Sequence, residues 1–375
     1  MLRKIDPRGT SRSWDRVGYR PELDGLRALA VLAVFGSHTG WGPLAGGWIG
    51  VGVFFVLSGY LITTILLREW AAAGRLALGR FYVRRARRLY PALLVLLVGC
   101  AFFAPFFGDG GTAAGYVRTA LYTGLYVQDL VAGFTGDTHG AFLHTWSLAV
   151  EEQFYLIWPL VLILVLRRGG SVLRWALAGT TVSWLLLVLT TQPRAGGPPA
   201  TYVLPWTRAG ELLLGCAVAA WLAGREKPFP VGISRWFPLG VPVVALAGLG
   251  LLGLTIGPAG MSTWMPAQIM AVALLTGALV VALAAGPGPI TRLLSLRPLV
   301  GLGRISYGFY LFHLPLMMLV GEYTGLRWAA QIALTFALTL ACAALSYRFV
   351  ERRFLDRRPG AEPAPPAAPE VSASR

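Results

Sequence analysis

An arginine and a histidine stand eleven residues apart in the apolar stretch GLRALAVLAVFGSHTGW, Gly25 to Trp41. Eleven residues make about three helical turns, so Arg27 and His38 share a face, roughly 16 Å apart along the axis. Ionisable side chains are costly inside an apolar segment, and those retained there mark sites or pathways. Histidine is the side chain best suited to moving a proton near neutral pH. The plainer reading is an imidazole at a helix end, satisfied by a backbone carbonyl and doing no chemistry.

A second constellation lies in HTWSLAVEEQFYLIWPL, 144–160. His144, Ser147 and Glu151 are spaced i, i+3, i+7, one stripe of a helix. The stripe is expected at the depth of His38. There a carboxylate beside the imidazole would orient it and stabilise its cation, as deprotonating a hydroxyl requires. Glu152 projects to another face. The alternative makes Ser147 a helix cap and Glu151 an acid complementing the helix dipole. RFYVRRARRLYP, 80–91, offers Arg84, Arg85, Arg87 and Arg88, planar donors suited to phosphate. The same run would also serve topology and binding of anionic lipid. SYGFYLFHLPL, 306–316, puts Tyr310 and His313 one turn apart, where a satisfied core histidine is the commoner outcome. Arg208 and Glu211 are spaced as a structural ion pair, and Ser58-Gly59 as a close helix contact.

These groups need elements to carry them, and the composition says which. Of 375 residues 55% are hydrophobic and only 13% charged, about half the charge of a soluble domain. Long apolar runs recur from end to end, so the fold class is all-α, a polytopic transmembrane helix bundle. Candidate spans are 26–40, 48–67, 89–107, 145–166, 172–190, 208–223, 238–257, 264–285, 300–320 and 327–349. With these ten, 28 basic residues fall on one side and four on the other, Arg27 lying within the first span. That asymmetry puts both termini in the cytoplasm of a multi-pass plasma-membrane protein. Segment 115–134 contains Arg118, Gln128 and Asp129, and counting it as a span would scramble the charge pattern. It reads as interfacial or re-entrant on the outer side. The net charge of +16 is spent on topology, so nucleic acid is not expected as a partner. Cys100, Cys216 and Cys342 sit apart in apolar runs and read as packing residues; no metal site is expected. Residues 1–22 form a basic cytoplasmic segment with no cleavable signal, 23–358 the membrane domain, and 359–375 a disordered Pro/Ala-rich tail.

Taken in order, LDGLRALAVLAVFGSH, GGWIGVGVFFVLSGYLIT, FYVRRARRLYPAL, HTWSLAVEEQFYLIWPL, PWTRAGELLLG and ISYGFYLFHLPL resemble the integral-membrane acyltransferase-3 family, from about Leu23 to Glu351. The resemblance implies an O-acyltransferase that decorates cell-envelope polysaccharides, glycolipids or macrolide-type metabolites. It matches Arg27 and His38 to the family's arginine–ten residues–histidine motif, whose histidine is held to be catalytic. Ser147 and Glu151 match its serine–three residues–glutamate motif. Arg85 and Arg88, shadowed by Arg84 and Arg87, match the arginine-x-x-arginine motif linked to the acyl-CoA donor. Family members commonly carry Asp where this chain has Gly52.

The expectation is then acyl transfer, acetyl above all, from acyl-CoA as co-substrate to a carbohydrate or glycoside hydroxyl, with no bound cofactor. His38, Glu151, Ser147 and Arg27 form the catalytic set; Arg84, Arg85, Arg87 and Arg88 hold the donor; Glu152, His144, Tyr310 and His313 support. The rival class is a proton-coupled transporter or a lipid or glycan carrier. Transporters often show internal repeats with broken spans in both halves, and this sequence shows no such symmetry. Arginine outnumbers lysine 31 to two, as a GC-rich bacterial genome would give.

Overall fold

The computed structural model describes residues 19–104, 112–135, 140–191, 200–225, 231–255 and 264–355. The described residues are helical throughout, with no strand. Helix α1 (Pro21–His38) leads through a 3-10 turn to α2 (Ile49–Ala73) and α3 (Leu78–Ala101). Two short helices follow, α4 (Ala113–Gly124) and α5 (Gln128–Thr135). Next come α6 (Trp146–Arg167), α7 (Val172–Thr190), α8 (Pro205–Ala223), α9 (Val231–Thr255) and α10 (Met265–Ala285). Short α11 (Pro289–Leu294) and α12 (Arg297–Arg304) precede α13 (Ser306–Tyr323) and α14 (Trp328–Ser346). A π turn, Tyr347–Glu351, and α15 (Arg352–Leu355) close the described chain. The expected tail, 359–375, and residues 1–18 of the amino-terminal segment lie outside the described residues.

Several boundaries are written in the local sequence. Pro21 opens α1, with Glu22 and Asp24 complementing the helix dipole in its first turn. Gly74, at φ 64°, closes α2 by donating its N–H to the Trp70 carbonyl at 2.8 Å. The Ser171 hydroxyl accepts from the Arg174 amide at the start of α7. Helices α4 and α5 divide the 115–134 segment, which does not run as one helix. Between them Tyr126 has φ 55°, a conformation non-glycine residues take sparingly. The Gln153 amide of α6 pins this break, donating to the Tyr126 carbonyl and to buried Asp129 at 3.0 and 2.9 Å.

Among the described residues five segments are long and apolar enough to cross a membrane: Gly42–Ala73, Leu143–Arg167, Val172–Thr190, Met265–Ala285 and Trp328–Leu355. Other long helices carry the charges of the sequence motifs, α1 with Arg27, α3 with its arginine run and α8 with Arg208 and Glu211. The segment containing α2 is central: 78% of its apolar window is buried, against 22% for the one containing α14. Glycine lets α2 sit there. A Cβ at Gly59 would fall 1.8 Å from the Leu212 carbonyl oxygen of α8, and one at Gly215 would fall 2.1 Å from that of Val56. Only bare backbone permits this approach.

Candidate active site

His38 is the last residue of α1, and its Nδ1 lies 2.9 Å from the Val34 carbonyl one turn back. Its ring packs edge-on against His313 of α13, with centroids 5.1 Å apart. On its other side His313 meets His144, which lies just before α6, again at 5.1 Å. Three of the chain's four histidines therefore meet at one end of the bundle. His144 and His313 are buried, while His38 is exposed. Each ring is tied to a backbone carbonyl, His144 Nε2 to Leu311 at 3.1 Å and His313 Nδ1 to Tyr310 at 2.5 Å. Tyr310 packs its ring against both His144 and His313. Its hydroxyl donates to the His144 carbonyl at 2.8 Å and lies 2.5 Å from Ser147 Oγ.

The arginine motif builds a different place. Arg85 and Arg88 of α3, Arg27 of α1, and Glu151, Glu152 and Tyr155 of α6 line a cavity of about 200 Å³. Arg85 donates to Glu152 at 2.6 Å, and its guanidinium lies 3.6 Å over the Tyr155 ring. Glu151 accepts from the hydroxyls of Ser58 and Tyr155. Arg27 donates through Nε to Ser306 at 3.2 Å and reaches no carboxylate among the described residues. Arg84 and Arg87 do not line the cavity, whereas Arg85 and Arg88, the pair matched by the family motif, do.

A smaller cavity of about 40 Å³, the throat, adjoins this chamber. Arg27, Ser58 and Glu151 line both, and the throat ends against Ser147, Phe54 and Tyr310. The passage thus runs from the arginines to the tyrosine that packs on His144 and His313.

Glu151 is not brought to His38 by hydrogen bond or ion pair; it faces Ser58, Tyr155 and the arginines. Helix geometry gives the reason. Glu151 lies seven residues beyond His144, about 10 Å along α6. When His144 stands level with His38, the carboxylate is carried down toward Arg27. Glu152 pairs with Arg85, as its different face suggests. Sequence reasoning missed Ser58 as a Glu151 partner, and Tyr155 as well. Tyr155 was within reach, four residues on from Glu151 on one helix face; Ser58 needed the tertiary fold. Among the described residues no cluster of His, Cys, Asp and Glu has the form of a metal site.

Beside the site lies a fully buried ion pair. Arg208 donates twice to Glu211, at 2.8 and 3.0 Å, with both side chains essentially inaccessible. The guanidinium stacks 4.5 Å from the Tyr202 ring and 5.4 Å from those of Phe55 and Trp146. A Cβ at Gly52 would come within 2.9 Å of Glu211 Oε1 and 2.8 Å of Val272. The space an acidic side chain would need at position 52 is taken by Glu211 itself.

A model of the acyltransferase domain family matches residues 20–348. The chain is 34% identical over 360 residues to the peptidoglycan O-acetyltransferase OatA of Listeria monocytogenes, with 89% of this chain and 55% of that protein covered. It is 31% identical over 354 residues to the O-acetyltransferase OatA of Staphylococcus aureus strain NCTC 8325, covering 89% and 57%. The chain thus spans a little over half the length of these curated relatives. No solved structure matches it.

Proposed function

The chain belongs to the acyltransferase domain family, and from that premise we propose that it is a membrane O-acetyltransferase. It moves an acetyl group from acetyl-CoA to a carbohydrate hydroxyl of the cell envelope. The names of its relatives make a peptidoglycan sugar the first acceptor to test. One observation carries the reading: a single passage joins an arginine-lined chamber to the wall of a histidine cluster.

The ten long helices are taken as ten spans with both termini cytoplasmic, following the basic-residue asymmetry. The arginine chamber then faces the cytoplasm, where acetyl-CoA is made. Arg88 and Arg27 hold its phosphates by charge-assisted hydrogen bonds, while Arg85 is kept in place by Glu152 and Tyr155. The Glu151 carboxylate stands where chamber and throat meet. It repels phosphate and admits only the neutral pantetheine arm with its thioester.

At the other end His38 has Nδ1 against the Val34 carbonyl. A carbonyl only accepts, so Nδ1 carries hydrogen and Nε2 carries a lone pair. Nε2 takes the proton of the acceptor hydroxyl as its oxygen attacks the thioester carbonyl. The C–S bond breaks, the CoA thiolate withdraws toward the arginines, and the proton finally joins it as thiol. Ser147 and Tyr310, at the throat's end, guide the acetyl group. Purified protein in lipid nanodiscs, given radiolabelled acetyl-CoA and chitotetraose, is expected to label the oligosaccharide. Hydrolysis of acetyl-CoA with no labelled sugar would overturn the reading of the acceptor, and no turnover at all would overturn that of the donor.

A further inference from the structure

Deprotonating a hydroxyl leaves His38 as an imidazolium, and something must bear that charge. The sequence assigned the task to Glu151, which instead accepts from Ser58 and Tyr155 at the chamber. No ion pair or hydrogen bond joins a carboxylate to His38, His144 or His313 among the described residues. The ring against His38 is that of His313, 5.1 Å away and 0% exposed. Its Nδ1 sits 2.5 Å from the Tyr310 carbonyl, which fixes the hydrogen on Nδ1 and leaves Nε2 as a bare lone pair. That Nε2 is buried and has no hydrogen-bond partner. A buried unsatisfied acceptor carries a desolvation penalty, and Nδ1 of buried His144 is open in the same way. Of these two rings, that of His313 is the one packed on His38, the residue that must pick up a proton.

We infer that His313 is a positioning residue for the acyl transfer, a second base that shares the proton His38 removes from the acceptor. The inference rests on the acetyl-transfer reading and deepens it. The hydroxyl O–H bond breaks, the proton goes to His38 Nε2, and His313 Nε2 accepts a hydrogen bond from that new N–H. As the thiolate departs, the proton passes to sulfur and both imidazoles return to their neutral forms. His144, packed on the far side of His313 and tied by Nε2 to the Leu311 carbonyl, holds the second base in line. The device replaces a fixed carboxylate with a neutral lone pair, so no permanent charge is buried at the histidine end.

The test uses acetyl-CoA and chitotetraose with full-length protein in nanodiscs. His313→Phe keeps the ring volume and removes the lone pair. It is expected to lower kcat about 100-fold, within the range of a lost acid–base group, with KM for acetyl-CoA within about twofold and a larger solvent deuterium isotope effect on kcat. His313→Gly is expected to regain turnover when imidazole is added, which lost packing alone would not allow. His313→Phe with wild-type kcat and isotope effect overturns the inference, as does a His313→Gly protein that imidazole leaves unchanged. A readout free of variants is the histidine ¹⁵N spectrum of the native protein. A buried histidine with both ring nitrogens protonated or hydrogen-bonded at His313 also overturns it. Native protein that transfers no acetyl group breaks the parent reading, and this inference with it; active native protein with an indifferent His313 breaks this inference alone.

Discussion

The two ends of the passage are built from opposite materials. The arginine end gathers formal charge around a cavity of about 200 Å³, with three guanidiniums and two carboxylates on its walls. The histidine end gathers three imidazoles, each tied to a backbone carbonyl, and no carboxylate is bonded to any of them. An anion with several phosphates suits the first end, where fixed charge can meet fixed charge. Proton transfer suits the second, where a group must be neutral before and after the event. The throat between them, at about 40 Å³, is a fifth of the chamber's volume.

The largest way to break this contrast is at His38. His38→Ala is expected to lower acetyl turnover by about 10²- to 10⁴-fold, with the protein still folded by circular dichroism and unchanged binding of CoA; weakened CoA binding would mean that the ends are not separate. A comparable loss, but in stability, is expected from Arg208→Met, which strands the buried Glu211 carboxylate. The cost is about 3–5 kcal/mol, read as a lower unfolding midpoint in detergent, and it separates charge that holds the bundle from charge that holds a ligand. Arg88→Ala should raise KM for acetyl-CoA roughly 10- to 150-fold, the range of one charge-assisted hydrogen bond of about 1.5–3 kcal/mol, with kcat little changed. The smallest effect sharpens the comparison most. Arg84→Ala combined with Arg87→Ala is expected to leave KM within about twofold, because neither lines the chamber; a large rise would extend the anion site onto the other face of α3.

Much of the scaffold was legible because apolar runs and helix punctuation are local. The run 172–190 reappears as Val172–Thr190, and 145–166 as Trp146–Arg167. The doubtful segment 115–134 is broken at Tyr126, in keeping with the polar residues that argued against a simple span. The phase of the arginine-x-x-arginine motif was legible only through the family resemblance, which put it on Arg85 and Arg88. By spacing alone residues 84, 85, 87 and 88 form two equal pairs, and it is a neighbouring helix that supplies Glu152 and Tyr155 as partners of Arg85. Depth was harder still. The spacing of His144, Ser147 and Glu151 fixes a common stripe, and the relative slide of α1 and α6 decides which member meets His38. Neither segment records that slide, and the ring that packs on His38 is that of His313, not the Glu151 carboxylate. Gly52 shows the same limit: its missing side chain is explained by Glu211, a residue 159 positions away.

The glycine contact between α2 and α8 reaches further than packing. Ser58 donates toward the passage while its neighbour Gly59 presses bare backbone on Leu212. The two are consecutive on one helix, so the clearance on the hidden side calibrates the bore on the reactive side. Adding a methyl at Gly59 would displace α2 bodily and reset that gauge. Selectivity between acetyl-CoA and propionyl-CoA would then be tuned by a residue that no substrate ever touches.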